Sequence, residues 1–237
     1  IVEKAVSILK PARDLEGIRM IVTAGPTREN IDPVRYISNY SSGKMGYAVA
    51  QAAHERGADV LLISGPVELE GPDGVRLIRT STAEEMEEAV LGNFENCDMV
   101  IMAAAVADYR PAEVSGTKIK KNDDEMVLRL RKNPDILKKL GTIKGNRTLV
   151  GFSAETDNLA ENAAKKLESK NLDMIVANDV TMEGAGFGTD TNIVRMIKRD
   201  GTVVVLPLMS KLSVAHRILD EVRGMAAGSG QGSGNGQ

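Results

Sequence analysis

Apolar positions along this chain fall into short continuous runs, separated by stretches with a helical repeat. Arg19 to Thr23 is one such run. Val60 to Ser64 is another, closed by Gly65-Pro66, and Val75 to Thr80 is a weaker third. Asp98 to Ala104, Leu149 to Ser153 and Asp173 to Ala177 complete the set. Apolar runs of roughly four to eight residues bounded by turn residues fit buried strands. Within Lys44 to Arg56, Met45, Ala48, Val49, Ala52 and Ala53 recur at the helical period, giving a face of small side chains that can sit close on a sheet. Thr82, with Glu85 in capping-box spacing, opens a helix to about Gly92. Further helices are expected over Asn158 to Lys170 and Ser210 to Val222. The alternation predicts an α/β fold: a Rossmann-like, largely parallel sheet flanked by helices. Right-handed crossovers then line up the loops after the strands along one edge, where ligands of such sheets bind.

Two regions break the pattern. Tyr109 to Leu130 is polar and lysine-rich, with a strand-like Met126 to Leu130, and reads as a protruding arm. Asn192 to Lys198 and Thr202 to Leu206 flank Arg199-Asp200-Gly201 and read as a C-terminal β-hairpin. Residues 1–17 are expected to be a short helix, stopped near Pro11, and a linker from a preceding domain. The main domain is expected over 18–224, and 225–237 as a disordered tail of small and polar residues.

Composition narrows the function. The chain has 237 residues and a net charge of −3, so no broad basic surface for nucleic acid is expected. Its single cysteine, Cys97, lies in an apolar stretch and is expected to pack as a small hydrophobe, in a reducing compartment such as the cytoplasm. No apolar run reaches the roughly 18 residues that span a bilayer, and no signal peptide opens the sequence. The chain begins at Ile1, which suggests a part excised from a longer protein. His54 and His216 lie far apart in expected helices, so no metal site built from protein side chains is predicted.

Candidate chemistry gathers at the expected ligand edge. Asn39-Tyr-Ser-Ser-Gly-Lys-Met-Gly46 opens the first helix, where free amides and the positive end of the helix dipole suit phosphate. Gly43 and Gly46 would let a ligand approach the backbone. The other reading is a capped helix with a close-packed glycine. Neither a Walker A spacing nor G-x-G-x-x-G is present, which counts against a nicotinamide-dependent reductase. Met102-Ala-Ala-Ala-Val-Ala-Asp-Tyr109 puts small residues and the Asp108 carboxylate after another strand. Lys118, Lys120 and Lys121 form the densest positive charge. Lys166 and Lys170 share a helix face, which by itself is an ordinary amphipathic surface.

Taken in order, these phrases resemble the phosphopantothenoylcysteine synthetase (phosphopantothenate–cysteine ligase) family. They are Gly-Pro-Thr-Arg-Glu, Ile-Asp-Pro-Val-Arg-Tyr-Ile-Ser-Asn-Tyr-Ser-Ser-Gly-Lys-Met-Gly, Ala-Ala-Ala-Val-Ala-Asp-Tyr-Arg, Lys-Ile-Lys-Lys, Lys-Asn-Pro-Asp-Ile, Gly-Phe-Ser-Ala-Glu-Thr and Val-Ala-Asn-Asp, covering about residues 19 to 222. The resemblance implies that a phosphopantothenate carboxylate attacks the nucleotide α-phosphorus and expels pyrophosphate. The cysteine amine then attacks the acyl-nucleotidylate to form an amide. Cys97 has no part, since the reacting cysteine is the free amino acid.

By resemblance, Asn39, Lys118 and Arg35 are catalytic, with Lys118 on a flexible arm. Gly25, Ser41, Gly43, Gly46, Met102, Ala103, Ala104, Asp108, Asn133, Pro134, Asp135, Ile136, Phe152, Lys166 and Lys170 join Lys118 in nucleotide binding. Asn39, Ala105 and Asn178 meet the acid substrate. The Lys-Ile-Lys-Lys and Asn-Pro-Asp-Ile phrases look like the type that uses CTP, with magnesium on the triphosphate. The family also implies a homodimer and, in the full-length protein, an N-terminal flavin-dependent decarboxylase. No FMN is expected in this chain, and neither nucleic acid nor membrane as partner. A non-enzymatic nucleotide-sensing or scaffolding module is the other reading.

Overall fold

The computed structural model describes residues 13–120, 125–155, 159–179, 186 and 188–228. The expected N-terminal helix, Lys121 and residues 229–237 of the expected tail lie outside the described residues. The chain runs β1 (Arg19–Ala24), β2 (Arg28–Asp32), β3 (Arg35–Ser38), α1 (Lys44–Glu55), β4 (Asp59–Ser64), β5 (Arg76–Arg79) and α2 (Ala83–Phe94). It continues through β6 (Met99–Met102), β7 (Tyr109–Pro111), β8 (Leu130–Lys132), α3 (Ile136–Ile143), β9 (Thr148–Glu155) and α4 (Leu159–Ser169). It ends with β10 (Met174–Asp179), β11 (Thr191–Lys198), β12 (Val203–Ser210) and α5 (Lys211–Gly228).

Eight strands form one sheet in the order β12-β11-β10-β9-β6-β1-β4-β5. The six from β10 to β5 are mutually parallel, and β11 and β12 add an antiparallel hairpin at one edge. Parallel strands need crossovers, and the helices of those crossovers cover both faces, so strand side chains are buried on either side. On β1, Met20, Val22 and Ala24 enter the core shared with α1 and α5, whereas Ile21 enters the one shared with α2, α3 and α4. The winding reverses between β1 and β6, which are neighbours in the sheet and send their chains to opposite sides.

Several expectations are corrected. Residues 13–17, expected as linker, dock on the domain: Leu15 is buried in the core and its amide donates to the Arg56 carbonyl at 3.0 Å. The last helix runs to Gly228, beyond the expected Val222 and into the expected tail, because Met225 still packs on the core. The arm's strand is Leu130–Lys132, not Met126 to Leu130, and pairs antiparallel with Tyr109–Pro111 at the arm's other root. Two elements were not anticipated: the β2–β3 hairpin and α3, whose N-terminus Asp135 caps by accepting from the Lys138 amide at 3.0 Å. The Thr82–Glu85 capping box forms as expected.

Arg56, just after α1, is buried and fastens three segments. It reaches Asp14 at 2.6 Å, Asp220 of α5 at 2.8 Å and the His216 carbonyl at 3.1 Å. The hydrogen bond from Arg56 outweighs burial and holds the Asp14 carboxyl below its ordinary range. Arg56→Ala leaves Asp14 only the bridge to Arg223 at 3.2 Å and removes hydrogen bonds between charged groups, which are worth about 1.5–3 kcal/mol. Urea denaturation is expected to show a loss of that order, and a loss below about 1 kcal/mol would show that the pairing contributes nothing beyond a surface bridge. Burial also pushes the Cys97 thiol up to about 11. Alkylation of the folded protein at pH 8 is therefore expected to be far slower than that of the unfolded chain.

Candidate active site

The loops after β1 and β6 are stitched together. Gly25 turns the chain out of β1 with a φ of +74°. The Ala105 amide donates to the Gly25 carbonyl at 2.8 Å, and Pro26 bridges to Ala105. Two buried hydroxyls complete the seam: Thr23 Oγ1 accepts from the Ala104 amide at 3.2 Å, and Thr27 Oγ1 from the Ala107 amide at 3.0 Å.

α1 begins beside this seam. Its cap residue Gly43 has a φ of +76° and supplies no side chain to the first-turn amides. A Cβ on Gly46 would lie 2.6 Å from the Ala24 Cβ and 2.7 Å from the Thr23 carbonyl oxygen, and one on Gly43 would lie 2.9 Å from Val67. Both glycines therefore sit tight against the protein's own atoms, and both also line the cleft at this edge. The result is a helix start pressed against the carboxyl end of β1.

A cleft of about 960 Å³ lies over this edge. One wall is the segment entering α1, with Asn39, Ser41, Gly43 and Gly46. The floor is Met102, Ala103, Ala104, Ala105 and Asp108, and the far wall is Asn133, Pro134, Asp135 and Ile136. Phe152 of β9, Lys166 and Lys170 at the end of α4, and Asn178 of β10 complete the predicted residues within it. Gly25, Arg35 and Lys118 do not line it: Gly25 packs against Gly65 and Val67, and the other two belong to the hairpin and the arm.

Several wall residues are fixed by their neighbours. Asn39 Nδ2 donates to the Val106 carbonyl at 3.0 Å. Asn133 Nδ2 donates to the Ala107 carbonyl at 2.8 Å while its Oδ1 accepts from Arg110 at 2.7 Å, so this side chain shapes the floor. Asp135 both caps α3 and pairs with Lys170 at 2.9 Å. Arg35 forms a fork on Asp32 at 2.6 and 2.9 Å. Burial opposes the charge of Asp32, but Arg35 and the amides of Val34 and Ile119 prevail and hold its carboxyl at about 2, below the ordinary 3.8.

Among the cleft residues that sequence reasoning missed, three bear directly on its chemistry. Lys44 pairs with Asp190 at 2.7 Å, and the buried Lys211 donates to the carbonyls of Gly186 and Thr189. Burial, then the neighbouring Lys44 charge, lowers the Lys211 pKa. Ser153 has a buried hydroxyl with no hydrogen-bond partner and also lines the cleft. Lys44 and Ser153 sat inside quoted motifs, whereas Lys211 opens the last helix without any sequence signal.

Doubly wound order, a cleft at the switch point and lysines around its rim define an α/β ligand-binding domain of the Rossmann type. More specifically, the chain belongs to the DNA/pantothenate metabolism flavoprotein C-terminal domain family, whose model matches residues 15–225. It is 52% identical over 220 residues, 92% of this chain, to the coenzyme A biosynthesis bifunctional protein CoaBC of Bacillus subtilis (strain 168). Against the protein of that name from Escherichia coli (strain K12) it is 47% identical over 226 residues, 94% of this chain. The chain spans 54% and 55% of those relatives, about half their length. A crystal structure of the C-terminal domain of a CoaBC protein matches with a TM-score of 0.80 at 46% identity, covering 92% of this chain and 100% of that one. A Cab2 mutant H337A in complex with phosphopantothenate-cysteine shares the fold, with a TM-score of 0.73 at 16% identity over 97% of this chain and 92% of that one.

Gly46→Ala tests the seat of α1. Overpacking of this kind typically costs about 1–3 kcal/mol. The expected result is a lower thermal midpoint together with weaker ligand binding. Unchanged stability and binding would show that the helix moves aside at no cost.

Proposed function

We propose that this domain is a phosphopantothenate–cysteine ligase that makes 4′-phosphopantothenoyl-L-cysteine through an acyl-cytidylate, consuming CTP and releasing CMP and pyrophosphate, in coenzyme A synthesis in the cytoplasm. The observation that carries this reading is the switch-point cleft, in which five of the family's phrases converge from separate segments of the chain. Membership of the family and relatives named for coenzyme A biosynthesis support it.

The chemistry asks for charge stabilisation and positioning more than for acid–base groups. The start of α1, with Ser41 and Ser42, offers amide and hydroxyl donors to phosphate oxygens. Lys166 and Lys170 on the opposite wall supply fixed positive charge for the nucleotide. The small side chains of Ala103, Ala104 and Ala105 leave room for base and ribose, with Asp108 in reach of a hydroxyl. Asn39 presents an amide at the wall where the acyl group would form, and Asn178 faces the acid substrate from β10. Lys118, brought by the arm, neutralises charge on the α-phosphate as pyrophosphate leaves.

Among the described residues no group of three or more His, Cys, Asp or Glu side chains could hold a metal ion. Magnesium would arrive on the triphosphate with most of its waters, the usual habit of that ion.

Exposed apolar side chains occur on the hairpin and arm, at Val34, Tyr36, Val114, Val127 and Leu130, with β2 packed on β7 between them, and also on the edge strand β12 at Val203, Val205 and Leu208. A patch of this kind suits a second copy of the chain and supports a homodimer. In the full-length protein a flavin-dependent decarboxylase would precede this domain. No helix among the described residues is long and apolar enough to cross a membrane.

Pyrophosphate release is the direct test. Release is expected with phosphopantothenate, CTP and magnesium, with the amide product formed only when cysteine is added. No release with CTP or ATP from folded protein would sink the ligase reading, and ATP outperforming CTP would overturn the nucleotide assignment. Asn39→Asp is expected to lower amide formation at least ~10-fold, the scale of losing one polar contact to a reacting group. Light scattering at micromolar concentration should give twice the chain mass, and a monomer would remove the dimer.

A further inference from the structure

Arg35 is assigned to catalysis by resemblance, yet it stands outside the cleft. Its guanidinium is engaged elsewhere. Nε and Nη2 hold Asp32 Oδ2 at 2.9 and 2.6 Å, and Nη2 also donates to the Ile119 carbonyl at 2.8 Å. The Ile119 amide in turn donates to Asp32 Oδ2 at 3.1 Å. One arm residue is thus gripped at both its N–H and its C=O by a single ion pair. The Asp32 side chain is fully buried. Its other oxygen accepts from the Val34 and Arg35 amides, each at 2.9 Å, so the same carboxylate turns the hairpin and holds the arm. The Ser115 amide adds a second tether, donating to the Ile31 carbonyl at 3.0 Å. Ile119 lies between Lys118 and Lys120. At its far end the hairpin runs into Asn39, which is fastened to the cleft floor.

We infer that Asp32 and Arg35 form a two-point clamp on the Ile119 peptide that positions the arm's lysines for the reaction, so that Asp32 is a positioning residue and Arg35 acts through the arm. This rests on the ligase reading and deepens it. The fork depends on geometry: a guanidinium can hold a carboxylate and a carbonyl together in one plane, and an ammonium cannot reproduce that. Lysine at position 35 therefore keeps the charge and loses the clamp.

The test is a double-mutant cycle on the domain with Asp32→Asn, Lys118→Gln and the pair, read as kcat and as KM for CTP. Asp32→Asn is expected to lower kcat about tenfold or more, since displacement of a reacting group by about 1 Å costs up to ~10²-fold. KM for CTP should move much less, and Arg35→Lys should behave alike. With Lys118→Gln already present, adding Asp32→Asn should cost under about threefold, because the lysine to be positioned is gone. Losses that multiply in the double variant would overturn the proposal, as would full kcat in Asp32→Asn. Trypsin supplies a readout independent of turnover. Cleavage after Lys118 should be faster in Asp32→Asn and in Arg35→Lys than in the unaltered protein, measured well below each protein's thermal midpoint. Unchanged cleavage would mean no clamp. If Asp32→Asn fails to fold, Arg35→Lys carries both measurements. If the unaltered protein shows no CTP-dependent turnover, the ligase reading fails by itself, and the trypsin comparison still decides the clamp.

Discussion

The contact on which the site depends is the seat of α1 on β1, where Gly46 lies against Ala24 and the Thr23 carbonyl with no space for a side-chain carbon. It puts the helix start at the carboxyl end of the strand from which the sheet winds both ways. Thr23 serves the seam twice: its carbonyl faces Gly46, and its hydroxyl accepts from Ala104 in the loop after β6. One wall and the floor of the cleft are therefore fixed by the same strand end. Interiors at native packing density do not yield by fractions of a side chain, so this geometry is held without any ligand.

Doubly wound domains that bind dinucleotides join the first strand to the first helix by a short glycine turn. Here the β2–β3 hairpin is inserted into that connection. The glycine duties are separated in sequence as a result: Gly25 makes the turn before the hairpin, and Gly46 allows the close helix packing after it. This explains physically why no G-x-G-x-x-G appears in a fold with that strand order. A two-stranded hairpin has little stability of its own. This one is tied down by buried Glu29, whose carboxylate accepts from the Ala83 amide in the first turn of α2 at 3.0 Å, and by the Arg28 amide on the Ser81 carbonyl at 2.7 Å. A carboxylate at that helix end also meets the favourable end of its dipole.

The core of the fold was legible because parallel strands buried on both faces write themselves as apolar runs, and the helices between them keep a helical repeat. The hairpin was not. Arg28 to Ser38 is mostly charged and polar, and its burial comes from ion pairs and helix-end contacts that no periodicity reports. α3 did leave a signal, with Asp135 as cap and Ile136 and Leu140 buried on one face, but the helix is short. Beyond the two segments placed at strand ends, Asn39 to Gly46 and Met102 to Tyr109, the cleft's membership was legible only through the resemblance. Nothing in the spacing of Lys166, Asn133 and Ser41 says that they meet, because the sheet order brings them together. Lys211 was invisible for the same reason, since it reaches the cleft through the Thr189 carbonyl and α5.

The charge distribution completes the argument. A chain of net charge −3 cannot attract anionic ligands by its overall field and must place its cations. Lys44 and Lys170 are oriented by Asp190 and Asp135, and Lys211 by backbone carbonyls, so these three are set before any ligand arrives. Preorganised charge stabilises a ligand without a reorganisation cost, and it accelerates a reaction only where it favours the transition state over the ground state. Acceleration needs charge that meets the substrate where negative charge develops, and Lys118, exposed on the arm, stands apart from the fixed set. On the proposed ligase reading the two tasks are separate: Lys44, Lys170 and Lys211, at helix ends, serve binding, and an arm lysine serves the chemical step. A separately carried cation is useful only if its approach is reproducible, which gives the buried Asp32–Arg35 pair its place in the design.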